Sequence, residues 1–446
     1  MFESAHLNEC SRLLVYVSAG CQLAHHLTHE VKINCKVKFY FLHVVRSSIL
    51  AFLFVAAVKC RRSDTSDSWN EALNRELHRD TSMMKIDTGF CNFMRKYHVP
   101  AISVAVAKGE RFVYLKSFGL AKLSDDIEAD NQSLFRIVES SMTITSIAIK
   151  KLIAEGQLNY DSKVFGNGGV LGFQYGRNQY GKWITDLTVE NLLKNQTGGW
   201  YGEDDVIADV NFRQLFSSRD SALSWALDHV PLKSPPGDTS NFSAFAYFVL
   251  GRVIEKVSGM TYENYVKENI LRPAGITDME LARDDASRPH EVSYYFPSPT
   301  PNSISDLLRP RSNGEVHENL YLSRGDAALG WIASAADMVK LMANYRTIES
   351  LRSNADGSRA SSLMDTAKAS NGYSFDWCST DLRRDWWESF QFLGSSTTLM
   401  RSSGGFCCVV LINTFRPDNP EFFPDLARTI KMINSDSTMR LPMAGG

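Results

Sequence analysis

Hydrophobic positions recur at helical spacing between Trp69 and Tyr97, at Leu73, Leu77, Met84, Ile86, Phe90, Phe93 and Met94. This predicts an amphipathic helical opening to the folded region. The period then shortens to two in AISVAVAK and RFVYLKSFG, on either side of Lys108-Gly109-Glu110. Apolar alternation around a short glycine-containing turn predicts a β-hairpin. Helical periodicity returns in TSIAIKKLIAEG after Thr145, in TVENLLKN after Thr188 and in FAYFVLGRVIEKVSG, which closes on Gly259, a residue type that stops helices. Towards the C-terminus SSTTLMR and GFCCVVLINTF flank Ser402-Ser403-Gly404 as a second strand pair, and PEFFPDLARTIKMIN predicts a closing helix begun by proline. Strands at both ends with helices between predict an α+β fold. One antiparallel sheet forms from N- and C-terminal strands, flanked by helices, with an all-helical lobe inserted. No internal repeat competes with this order.

The first 65 residues have a different texture. Arg46 precedes the uncharged stretch SSILAFLFVAAV, Ser47 to Val58, which is followed by Lys59 and Arg61. Its length suits the apolar region of a signal peptide, whereas a membrane span needs about 18 to 20 apolar residues. The readings are an internal signal, a tilted anchor reaching back to Phe39, a chain start assigned upstream of the true one, or a plain buried helix. The polar run RRSDTSDS reads as a linker. The expected organisation is a targeting or anchor segment with linker over 1–65, a folded domain over 66–436 and a tail over 437–446. A secretory or membrane-anchored location, with anchoring through residues 47–58, follows from this stretch.

Composition narrows the partners. Lys and Arg total 48 against 50 Asp and Glu, so no long-range field draws the chain to nucleic acid, and no nucleic-acid partner is expected. The eight cysteines are too sparse for a disulfide scaffold and form no Cys-x-x-Cys pair. Cys407 and Cys408 read as small buried hydrophobes on opposite faces of a strand. The ten histidines, among them His98, His229, His290 and His317, lack ligand spacing. No nucleophile elbow, zinc helix or phosphate loop is present, so neither metal nor cofactor is expected.

Six phrases, in order, carry a family likeness: FMRKYHVPAISVAVAKGERFVYLKSFGLA; SLFRI before the TSIAIKKLIAEGQL helix; TVENLLKNQTGG; PPGDTSNFSAFAYFVLGRVIEKVSG; YENYVKENILRPAGITDM; and GWIASAADMVKLM. Over Trp69 to Asn434 the chain resembles the class C β-lactamase and penicillin-binding-protein family, in particular its β-lactamase-like animal members. The resemblance implies a β-lactamase/transpeptidase-like fold and a serine-hydrolase site.

That family opens a buried helix with Ser-x-x-Lys, because residues i and i+3 share a helix face and the amine can take the hydroxyl proton. Aligning FRIVESSMTITS places Glu139 at the serine and Met142 at the lysine. A thioether is no base near neutral pH, and a carboxylate at a helix N-terminus is stabilised as an anion. Ser140 and Ser141 are the fallback nucleophiles, yet three residues on from them lie Thr143 and Ile144, neither of them a base. Ser82-Met83-Met84-Lys85 spells the motif in the first helix, away from the family's position. The family's Tyr-x-Asn, whose phenol relays a proton, falls on Phe242 and Ala244, and Tyr262-Glu263-Asn264 belongs to a later helix. Its Lys- or His-x-Gly falls on Glu388-Ser389-Phe390, where charge is reversed and the glycine gap is filled.

These changes predict a pseudoenzyme that binds a protein, small-molecule or peptide ligand in the old cleft, or acts as a scaffold. The alternative is an active serine hydrolase using Ser140 or Ser141. A third reading, resting on likeness to the mitochondrial β-lactamase-like protein, is a homo-oligomer forming filaments, with a mitochondrial address. Asn131-Gln132-Ser133, Asn195-Gln196-Thr197 and Asn241-Phe242-Ser243 are glycosylation sequons, meaningful in a secreted domain.

Overall fold

The computed structural model describes residues 83–108, 111–177, 179–199, 218–237, 243–284, 288–295, 322–350, 386–392, 394–401, 405–414, 416 and 419–435. All lie within one compact unit, Ser68–Gly446. The segment 1–65 with its Ser47–Val58 stretch, the tail 437–446 and Phe242 fall outside the described residues. Among those described, no helix is long and apolar enough to cross a membrane.

Helix α1, Met84–Tyr97, buries Ile86, Phe90, Phe93 and Met94 along one stripe. It ends where His98 takes a left-handed conformation and donates its backbone N–H to Met94 O. Strands β1 (Ala101–Lys108) and β2 (Arg111–Lys122) form the expected hairpin, continued by the short β3 (Ile127–Glu128). After β4 (Phe135–Arg136) come the helices α2 (Ser140–Ala154), α3 (Val189–Leu193), α4 (Arg219–His229), α5 (Ala244–Ser258) and α6 (Tyr262–Val266). Strand β5 (Glu280–Leu281), α7 (Asp326–Leu329), β6 (Trp331–Ala333) and α8 (Ala335–Ser350) follow. Strands β7 (Trp386–Phe392), β8 (Ser395–Arg401) and β9 (Phe406–Ile412) return to the sheet, and α9 (Phe422–Ser435) closes the chain.

The main sheet has the order β3-β2-β1-β9-β8-β7. The first and last strands of the fold meet where β1 and β9 pair antiparallel, with Val104 opposite Val410. Alternation then divides the core. Cys407, Val409 and Leu411 face the helical insertion, whereas Cys408, Val410 and Ile412 face α1 and α9. Both cysteines are buried, on opposite faces.

The helix expected after Thr145 begins earlier, at Ser140, because the first-turn serines and threonine are buried with the apolar residues rather than left in a loop. Among the described residues the insertion carries helices and a small sheet, β4-β6-β5, whose two- and three-residue strands are too short to show a period. Pro420 precedes α9, and Pro424 occupies its first turn, where a missing N–H removes no helical hydrogen bond.

Candidate functional site

Helix α2 starts abruptly. Val138 has φ 45°, a strained value for a β-branched residue. Glu139 follows as the N-cap without a side-chain capping hydrogen bond. The chain turns at once: Ser140, Ser141 and Met142 donate their N–H groups to Ile137 O, Val138 O and Glu139 O at 3.0, 2.9 and 2.9 Å. Glu139 is half-buried and the next ten residues are all buried, so this helix runs through the core until its last turn, where Lys150, Lys151 and Ala154 reach solvent.

The two fallback serines differ. Ser141 Oγ accepts the N–H of Trp331 at 3.2 Å, which ties α2 to β6. Ser140 Oγ is fully buried and has no hydrogen-bond partner among the described residues. Neither hydroxyl has an amine, imidazole, phenol or carboxylate within hydrogen-bond distance among the described residues. Met142 is 0% exposed and belongs to the core between sheet and insertion. Lys85, the lysine of the stray Ser-x-x-Lys, is exposed on α1.

Helix α5 presents its N-terminus beside α2, and Ser146 Oγ donates to Tyr247 OH at 3.2 Å between the two helices. Its N-cap, Ser243, is clamped from the end of α3. Asn195 Nδ2 donates to Ser243 O at 3.0 Å and Asn195 Oδ1 accepts from Ser243 N at 2.7 Å. Asn195 takes φ 56° to do so, a conformation Asn tolerates better than most residues. Ser243 therefore has a fixed backbone, and Ala244 opens the helix with a methyl group, 4% exposed. Tyr262 and Asn264 part company: the tyrosine is fully buried and the asparagine exposed.

Glu388 lies on the sheet-edge strand β7, directly opposite Leu399, and Phe390 lies opposite Thr397. Opposed residues share a face, and Leu399 belongs to the core against the insertion. Glu388 and Phe390 therefore face α2. The same face of β8 touches the lead-in to that helix, where Ser395 Oγ and Thr397 Oγ1 donate to Arg136 O at 2.7 and 3.5 Å. Glu139 and Met142 at the start of α2 and Ala244 at the start of α5 thus lie on the side of the sheet that Glu388 faces.

Beneath the first turns of α2 runs a polar network that sequence patterning did not single out. Thr145 Oγ1 shares a hydrogen bond with Tyr262 OH at 2.7 Å and donates to Ala327 O at 2.6 Å, while Trp331 Nε1 donates to Tyr262 OH at 2.9 Å. Burial raises the Tyr262 hydroxyl above the ordinary tyrosine range. Asp326, fully buried, accepts from Arg252 and Arg219, each at 2.8 Å. Burial works against the Arg252 charge, but Asp326 and Glu255 together outweigh it and hold the guanidinium above its usual value. No period marks such residues in advance; only GDAALGW around Asp326 would have flagged a buried charge within an apolar run. Among the described residues no group of three or more His, Cys, Asp or Glu could hold a metal ion.

Comparison with known proteins decides the kinship. The profile of the family described as Beta-lactamase matches residues 86–428, well over half of the chain. The chain belongs to the β-lactamase family. Within it, an Escherichia coli K12 protein assigned as a D-alanyl-D-alanine carboxypeptidase is 27% identical over 40% of this chain and 42% of its own. Protein flp of Staphylococcus aureus is 23% identical over 49% and 43%. The chain spans less than half the length of these curated relatives. Among solved structures, a penicillin-binding protein from Bacillus halodurans has a TM-score of 0.57 at 18% identity, covering 76% of this chain and 98% of its own. A D-amino acid amidase from Ochrobactrum anthropi has a TM-score of 0.58 at 15% identity, covering 79% and 99%. These β-lactamase-family folds match the sheet with its helical insertion.

Proposed function

We propose that this β-lactamase-family chain does not hydrolyse and that its altered site holds a protein, peptide or small-molecule ligand or serves as a scaffold. One observation carries the reading. At the position that the family resemblance assigns to the catalytic lysine stands Met142, packed at 0% exposure in the core, and a thioether there supplies no base to the first turn of α2. Reversal at Glu388 adds to it, since a carboxylate there repels the acidic group that the family's cation attracts. Members of a catalytic group act as a unit, so joint replacement removes the covalent route rather than merely slowing it.

The second reading, an acyl hydrolase, is favoured by Ser140, whose buried hydroxyl is unpartnered at the helix N-terminus. The relatives named as a carboxypeptidase and an amidase point that reading to amide substrates.

The full-length protein is incubated with a chromogenic cephalosporin, a small ester and a D-amino acid amide, and with a serine-reactive fluorophosphonate, alongside a Ser140→Ala, Ser141→Ala double variant. The expected result is buffer-level turnover and no labelling of either protein. Turnover by the native chain that the variant loses would overturn the non-hydrolytic reading and install the hydrolase.

A further inference from the structure

Of the three Asn-x-Ser/Thr sequons, the described residues include two, and their surroundings are opposite. Asn131 is exposed, the second residue of a β-turn closed by Ser133 N donating to Asp130 O at 3.1 Å. The turn is locked on both sides. Gln132 N donates to Asp130 Oδ1 at 3.0 Å, Asp130 N to Ser133 Oγ at 2.9 Å, and the Ser133 hydroxyl to Asp130 Oδ1 at 3.0 Å. From the interior, Ser117 Oγ donates to Asp130 O at 2.9 Å and lies 3.2 Å from Asn131 Oδ1. The turn is thus tied to the sheet beneath it, and Asn131 Nδ2 makes no hydrogen bond among the described residues. Asn195 is the reverse case: 7% exposed, with both amide atoms bound to the backbone of Ser243. A sugar on Asn195 Nδ2 would break the bond to Ser243 O and require space inside the core.

We propose that Asn131 is an N-linked glycan acceptor of this chain and that Asn195 is not. In the transfer, Asn131 Nδ2 bonds to the anomeric carbon of an oligosaccharide carried on a polyprenyl diphosphate. The anomeric carbon–oxygen bond breaks, the polyprenyl diphosphate leaves, and one amide proton passes to solvent, with no change of oxidation state. Transfer precedes closure of the turn, because the Ser133 hydroxyl on which acceptor recognition depends is 4% exposed once it has closed; a glycan placed on Asn195 would instead bar the clamp on Ser243, so folded, secreted chain carries none there. The closed turn then keeps Nδ2 outward. It lies three residues beyond β3, at the sheet edge opposite β7. A glycan there flanks the exposed edge strand Ile127–Glu128 and shields it from pairing with other chains, while the N-termini of α2 and α5 stay clear. The proposal rests on the secretory reading of Ser47–Val58 and is independent of whether the site hydrolyses anything.

The full chain is expressed in human cells, once as it is and once behind an added cleavable secretion signal. Peptides are mapped after amidase release of N-glycans in 18O-labelled water. Labelled aspartate is expected at position 131, with unmodified asparagine at 195, and Asn131→Gln and Ser133→Ala should each remove one glycan step in gel mobility while Ser133→Thr keeps it. The step is read on retained as well as secreted chain, so poor folding of a variant does not hide it. An unmodified Asn131 in the signal-bearing chain, or a label at 195 in secreted protein, would overturn the proposal. So would modification only when the added signal is present, since the native chain would then not be an acceptor.

Discussion

At the scale of single residues, the molecule stakes most on charges taken out of water. Asp326 and Arg252 are both fully buried and 2.8 Å apart, and Arg219 reaches the same carboxylate oxygen from the half-exposed side. Two buried charges are tolerable as a pair, and removing Asp326 leaves the fully buried Arg252 to the partly exposed Glu255, 2.8 Å from its Nε, which offsets less of the desolvation cost. Asp326→Ala is therefore expected to lower unfolding free energy by about 3–5 kcal/mol, read from urea denaturation midpoints. Arg219→Ala should cost far less, because Arg252 keeps its partner. If the two variants unfold at the same urea concentration, the pair is not what holds α5 against α7.

At the scale of elements, close backbone approaches and caps fix where pieces begin and end. Gly119 sits late in β2 with φ 83°, and a Cβ there would stand 2.1 Å from Pro100 O, beside the hydrogen bond from Leu120 N to Pro100 O at 2.8 Å. Gly119→Ala combines positive-φ strain with that clash, so it should destabilise by more than about 1 kcal/mol, with thermal unfolding as the measure. The cap of α3 is smaller in effect. Thr188 Oγ1 accepts from Asn191 N at 3.2 Å while Asn191 Oδ1 accepts from Thr188 N at 3.0 Å. Thr188→Ala is expected to cost about 1 kcal/mol, and an unchanged melting temperature would show that packing of Leu192 alone sets this helix. Both elements were legible in the sequence, β2 from its alternation and α3 from the helical spacing in TVENLLKN, because local pattern and local chemistry agree there.

At the scale of the whole molecule, buried phenols tie stability to alkaline pH. Burial, with Asp220 adding to it, pushes the Tyr175 hydroxyl up to about 12, and burial raises Tyr180, Tyr262, Tyr265 and Tyr294 as well. In the unfolded chain these groups ionise near pH 10, roughly the value of free tyrosine. The folded state keeps them protonated, so their contribution is complete below about pH 10 and is lost as pH rises through the folded values. Unfolding temperature should fall steeply from about pH 10 to 12, and absorbance at 295 nm should show these tyrosines ionising only with unfolding. A smooth tyrosine titration in a chain that still melts cooperatively at pH 11 would count against it.

The sequence by itself determined the hairpin, the helices, the closing strand pair and the order that makes one sheet from two chain ends. Each rests on a period of two or 3.6 that adjacent residues display without help from distant ones. The residue types that the resemblance assigns to the family's catalytic positions were likewise read by counting along the chain, Glu139 and Met142 at one helix start and Ala244 at another. The sheet β4-β6-β5, the clamp of Asn195 on Ser243, the pairing of Arg252 with Asp326 and the side of the sheet that Glu388 faces were decided only in three dimensions. In each case the partner lies tens of residues or more away in the chain. Burial, which turns a polar side chain from neutral to costly, depends on what packs over it and not on its neighbours in sequence.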